Sequence, residues 1–192
     1  MDEVGRGALA GPVTVGAVIL TPGREPSGLD DSKRLTAAVR QRLDGEIRAA
    51  AVAWSLGACS AEEVDTLGIV EATRTAMRRA VNGLAVEPAC VICDALAPSG
   101  LSMPVLAEIR ADSRYLCVAA ASIVAKVARD AEMRRLAGEC PGYDWERNKG
   151  YGTASHLDAI RRLGPSHLHR RSFAPIRVLA FDSGRASGSW PR

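Results

Sequence analysis

The run "ACVICDAL", residues 89–96, constrains this chain more than any other stretch. It is almost continuously apolar, the pattern of a short strand buried on both faces rather than on one. Such a strand needs helices above and below its sheet, so an α/β layer structure is expected. The remaining segments fit around it. "VTVGAVIL" (13–20), closed by a Pro-Gly turn, and "AVAWSLGACS" (51–60) read as strands, and a further strand falls near Leu106–Ile109. A helix is expected to begin within "LDDSKRL", with Asp31 or Ser32 as its N-cap. Others follow the capping-box-like "SAEE" (60–63), span about 69–83 up to Gly83, and run from Val118 to Leu136. This order predicts hairpin-joined strands feeding a parallel part. It also predicts a core over 1–138, a helical, basic part over 139–182 and a disordered tail over 183–192.

The net charge of +3 hides an asymmetry. Residues 147–177 hold seven Lys or Arg against one acid, Asp158, while the preceding part is acidic on balance. A basic segment beside a carboxylate-bearing body suits a polyanion handled through metal ions. The longest apolar run, Leu116–Ala125, is broken by Ser122 and too short to span a bilayer, so no membrane partner is expected. The acidic start without an apolar leader and the five cysteines, an odd number, point to a reduced, cytoplasmic protein. Cys90 and Cys93 have C-x-x-C spacing, but on a strand they face opposite ways, and no second pair follows. They read as buried strand cysteines rather than as a zinc or redox pair.

Four acids carry the chemistry. Asp94 ends the buried strand, where open α/β sheets place their sites, although a turn former or helix N-cap would also stand there. Asp130 shares a helical stripe with Ile123 and Val127, so its charge must be paired or metal-bound, and Arg134 is the competing partner. Asp2 and Glu3 are neighbours that a regular strand would turn to opposite faces. Both reach one site only if the strand ends or bulges, which Gly5 and Gly7 permit. Together these carboxylates match a two-metal phosphodiester site, with Mg2+ or Mn2+ ions about 3.5–4 Å apart. Gly5-x-Gly7-x-x-x-Gly11 is no dinucleotide fingerprint, because four residues make no preceding strand and Pro12 with β-branched residues follows.

With these residues in view, the chain resembles ribonuclease HII, the type 2 ribonuclease H. The resemblance rests on "DEVGRGALAGPV", "LDDSKRL", "AAASIVAKVARD", "NKGYGTASH" and "HRRSF", in order from Asp2 to about Pro175. It implies a ribonuclease H-like mixed β-sheet flanked by helices, with a small C-terminal helical part. The implied activity is endonucleolytic cleavage 5′ of a ribonucleotide, in RNA/DNA hybrids and in duplex DNA carrying embedded ribonucleotides, leaving 3′-hydroxyl and 5′-phosphate ends. The implied metal ligands and catalytic groups are Asp2, Glu3, Asp94 and Asp130, holding two Mn2+ or Mg2+ ions in a monomer. Gly5, Arg6 and Gly7 would let the backbone read the ribose 2′-hydroxyl. Tyr151 resembles the tyrosine that stacks on the junction sugar. Ser32, Lys33, Ser122, Lys126 and Lys149 resemble substrate contacts. Three features depart from the pattern. Met1 stands where the family has the last residue of an apolar strand, so the first strand is expected to be truncated. Arg110-Ala111-Asp112 replaces Lys-Gly-Asp, and "DALAPSG" follows Asp94. The competing expectation is a nucleic-acid-binding fragment without activity. A sister exonuclease or junction resolvase would use similar carboxylates without needing the Gly-Arg-Gly.

Overall fold

The computed structural model describes residues 1–178. Three strands form an antiparallel sheet in the order β1 (Asp2–Val4), β2 (Val13–Ile19), β3 (Ala53–Cys59). Asp2 lies opposite Gly16, and Val15 opposite Gly57. Two more strands, β4 (Val91–Asp94) and β5 (Val105–Glu108), pair in parallel, with Asp94 beside Glu108. The Met1 amino group donates to the Ile92 carbonyl at 2.7 Å, which ties the start of β1 to β4 while the two sheets keep separate ladders. The antiparallel strands β2 and β3 are joined through a helix, α1 (Ala37–Ala50), rather than by a tight hairpin.

Helices cover both faces. On one, Val13, Val15 and Ala17 of β2 pack with Ala72, Ala76 and Met77 of α3 (Ile69–Asn82), which follows the short α2 (Ala61–Leu67). On the other, Val18 packs with Ile123 and Val124 of α4 (Leu116–Glu139) and with Leu43 and Ile47 of α1. Two glycines allow these layers to touch backbone to backbone. A Cβ on Gly16 would come within 2.5 Å of the Ala121 carbonyl, and one on Gly57 within 2.0 Å of the Ala76 carbonyl. A second core forms around the C-terminal half of α4. There Met133 and Leu136 pack with Leu9, Tyr143, Trp145 of α5 (Trp145–Asn148) and Ile160 of α6 (Ala154–Leu163). A last helical turn covers 174–178, and the expected tail over 183–192 lies outside the described residues.

Two expectations need correction. The helix after "LDDSKRL" starts at Ala37 and is capped by Thr36, whose hydroxyl accepts from Val39 N; neither Asp31 nor Ser32 is the cap. Asp30 and Asp31 instead accept from the amides of Asp31 and Lys33, holding 30–35 as local turns that compete with helix. The run 89–96 is buried only at alternate positions, Val91 and Cys93, and Cys90 is exposed outside the strand. The cause is a groove of about 320 Å³ between β2 and β4, lined by Ala17–Leu20, Val91 and Ile92 among others.

Candidate active site

Three of the four acids stand on neighbouring strands without converging on one point. Met1 lies beside Ile92, and the charge of Asp94 helps to raise the Glu3 carboxyl, so the ends of β1 and β4 lie near one another. Asp2, Glu3 and Asp94 are therefore neighbours. β1 stops at Val4, and Gly5, at φ +89°, turns the chain away at once. Burial, and next the charge of Glu3, push the Asp2 carboxyl up to about 7. Burial also raises that of Glu3, partly offset by Arg6, whose Nη1 donates to Oε1 at 3.1 Å. The other Glu3 oxygen, Oε2, is buried without a hydrogen-bond partner. A buried, partnerless carboxylate oxygen beside two further acids fits a hard divalent cation.

Asp130 is held in an ion pair. Its Oδ1 accepts from Lys126 Nζ at 2.7 Å, one helical turn back, so Lys126 rather than Arg134 is its ion-pair partner. Among the described residues no three His, Cys, Asp or Glu side chains already converge on one point. Asp94 both ends its strand and accepts, at 3.3 Å, from the amide of Ala111. The Arg110-Ala111-Asp112 segment thus acts on the site through its backbone, which an alanine serves as well as a glycine. Ser32 and Ser122 are buried and bonded to each other at 2.6 Å; they tie the 30–35 turn to α4 and offer no open hydroxyl to a phosphate. Lys33 is exposed. Lys149, at φ +52°, turns its ammonium onto the Glu146 carbonyl.

The Gly-Arg-Gly turn is held by two arginines that the candidate residues did not include. Arg129 of α4 donates to the carbonyls of Pro12 (2.8 Å), Ala10 (3.2 Å) and Lys149 (3.0 Å). Its guanidinium lies 5.4 Å from the Tyr151 ring centroid, so the loop of Gly5–Pro12 and the loop of Tyr151 share one cation. A Cβ on Gly5 would come within 2.0 Å of Arg129 Nε. The signal was in the helix period: Arg129 lies on one stripe with Ala125, Met133 and Leu136. Arg170, expected to serve the basic surface, is fully buried and grips the same loop from the other side. Gly7 is exposed, and a Cβ there would meet nothing within 4 Å.

Behind Tyr151 stands a buried histidine pair. Ser166 N donates to His169 Nδ1 at 2.9 Å, which leaves the hydrogen on Nε2, directed at His156 Nε2 at 3.1 Å. Trp145 Nε1 donates to that same His156 nitrogen at 2.9 Å, so the His156 proton sits on Nδ1 and goes to the Tyr151 carbonyl at 2.9 Å. These hydrogen bonds suit two neutral rings, and burial lowers both pKa values, His169 to about 4, opposed at His156 by its bond to the Tyr151 carbonyl and then by Asp144. Depressed folded pKa values give stability that is present above the unfolded value of 6.5 and lost as pH falls towards about 4. The melting temperature is therefore expected to drop between pH 6.5 and 4.5, and His169→Gln should flatten that slope. An equal slope in the variant would place the acid sensitivity elsewhere.

Comparison with known proteins gives one answer. The family model described as Ribonuclease HII matches residues 1–176. Ribonuclease HII of Jannaschia sp. strain CCS1 is 53% identical over 178 residues, covering 92% of this chain and 88% of that protein. The crystal structure of ribonuclease H2 from Pyrococcus horikoshii OT3 superposes with a TM-score of 0.78 at 26% identity, over 94% of this chain and 95% of that one. Bst-RNase HIII in complex with Mn2+ has the same fold at a TM-score of 0.69 and 21% identity, over 96% of this chain and 69% of that one.

Proposed function

This chain belongs to the ribonuclease HII family, and from that premise we propose that it cuts the phosphodiester 5′ of a ribonucleotide, in RNA/DNA hybrids and in duplex DNA with embedded ribonucleotides, leaving 3′-hydroxyl and 5′-phosphate ends. It is a metal-dependent ribonuclease H enzyme. The observation that carries the finer reading is the partnerless Glu3 oxygen, set beside Asp2 and Asp94 and one turn away from an exposed Gly7. Mn2+ in a neighbour of the same fold supports a divalent ion, and two ions suit the four acids.

Asp2, Glu3, Asp94 and Asp130 would hold the ions, with Asp130 released from Lys126. When bound, such ions activate water and stabilise the leaving oxygen. Asp2, with its carboxyl near 7, gives up a proton as it becomes a ligand, so ion affinity rises with pH. Lys126, once free of Asp130, and Lys33 and Lys149 supply positive charge for phosphates. Gly7 approaches the sugar, and Tyr151 offers its ring at the junction. The enzyme acts as a monomer in a reducing, cytoplasmic setting; the five free cysteines fit the reducing part of that reading.

The test compares a duplex carrying one ribonucleotide, its all-DNA twin and a full hybrid, each with Mn2+, with Mg2+ and with chelator. Metal-dependent cleavage of the first and third alone supports the reading, whereas binding without cleavage would leave a mere nucleic-acid binder. Affinity is also expected to fall steeply with salt. Replacing Lys33 and Lys149 together by Ala should lower the slope of log K against log salt by about 1.8, two phosphate contacts at about 0.9 each. An unchanged slope would mean that neither lysine meets a phosphate.

A further inference from the structure

Arg129 and Arg170 are both fully buried, and among the described residues neither has an ion-pair partner. Buried charge without a counter-ion is costly, and a neutral side chain would fill the same space. Their hydrogen bonds show where the charge is directed. Arg170 donates from Nε and Nη2 to the Gly11 carbonyl at 3.1 and 2.9 Å, and from Nη1 to the Arg6 carbonyl at 2.9 Å. Its own backbone is pinned on both sides. The Arg170 amide donates to Leu9 O at 2.8 Å, while the amides of Arg171 and Ser172 donate to the Asp65 carboxylate at 2.7 and 2.9 Å. The guanidinium is therefore a fixed point, and the loop is shaped to it.

The consequence lies on the far side of one peptide bond. In a trans peptide the N–H points opposite to the C=O. With the Arg6 carbonyl drawn inward to Arg170, the N–H of Gly7 must point outward, at the residue whose missing Cβ leaves open space. A cation on the carbonyl also polarises the peptide and makes that N–H a stronger donor. Of the turn's side chains, that of Arg6 folds back on Glu3, which leaves the space outside Gly7 open.

Building on the function proposed above, we propose that Arg170 is a positioning residue for ribonucleotide selectivity. It holds the Arg6 carbonyl inward and so presents the Gly7 N–H to an acceptor on the sugar, the 2′-oxygen that deoxyribose lacks. A deoxyribose leaves the donor unpaired, and an unpaired donor is what discriminates.

Arg170→Lys retains a cation but cannot reach Gly11 and Arg6 together. It should lower cleavage of the single-ribonucleotide duplex at least ~10-fold through kcat, while all-DNA duplex binding stays unchanged. Selectivity is the readout, because a merely structural defect would weaken every substrate alike. Unchanged cleavage, or a loss of cleavage matched by an equal loss of all-DNA duplex binding, overturns the proposal. Should the variant fail to fold, hydrogen exchange of the Gly7 amide in the native protein decides, with chelator present to prevent cleavage. Fast exchange in the free protein, slowed by the ribonucleotide duplex and not by its all-DNA twin, supports the outward donor. Protection in the free protein, or equal protection by both duplexes, overturns it. If the native enzyme itself fails to cut at ribonucleotides, the function reading falls, which is a separate result.

Discussion

Asp94→Asn is expected to abolish metal-dependent cleavage, by at least ~10²-fold at saturating Mn2+ or Mg2+, with duplex binding retained. Asparagine keeps the shape of the side chain and an oxygen for the Ala111 amide, so the end of β4 need not move. What it removes is the charge on β4 that disfavours an ionised Glu3. A cation held by Glu3 and Asp94 would lose one of its hard anionic ligands, and the reaction the charge stabilisation that such a cation would supply. The same loss of repulsion should raise the melting temperature of the metal-free protein, the usual trade between stability and function at an acid cluster. Single-turnover cleavage and thermal melts on one preparation test both halves. Near-normal turnover would remove Asp94 from the reacting centre. Lost turnover with a lower melting temperature would mean that Asp94 repels its neighbours too little for its charge to cost stability.

Gly57→Ala should cost at least about 3 kcal/mol, the upper range for overpacking, and lower the melting temperature by roughly 6–12 °C for a chain of this size. The added methyl group would lie 2.0 Å from the Ala76 carbonyl and 2.5 Å from the Ala80 amide, both backbone atoms of α3. No rotamer change relieves such a clash; the helix must leave the sheet. Gly45 is the counterpart. It sits exposed in α1 with nothing within 4 Å of a Cβ, so Gly45→Ala should stabilise by about 0.5–1 kcal/mol through helix propensity. Calorimetry of the two variants beside the native protein reads opposite signs. Two equal effects would mean that the layers are not in backbone contact.

The legible part of the fold was the part with a period. β2, β3, α2, α3 and α4 fall where alternation and the 3.6-residue stripe place them, because burial on one face writes itself into the sequence. The turns at 30–35 were misread because Asp and Ser cap helices and close turns with the same oxygens. Asp2, Glu3 and Asp94 were found as acids at strand ends. That Asp130 leans on Lys126 was not, since an i,i+4 choice between Lys126 and Arg134 is a matter of rotamer and not of spacing. Arg170 was counted with its basic neighbours because its burial depends on a loop about 160 residues away in sequence, which no local pattern records.

The junction between β1 and β4 has a dynamic consequence. On either side of it, strands are laddered to their neighbours residue by residue, whereas across it Met1 bonds to Ile92. Few bonds and an open groove on one flank make this the line along which the protein separates first, into an opening unit of β4 and β5 and a slower one of β1 to β3. That line passes between Asp94 on one side and Asp2 and Glu3 on the other. An ion gripped by all three would do more than take part in the reaction. It would fasten two foldons together, so the amides of β4 should slow their exchange when metal binds while those of β3 barely notice.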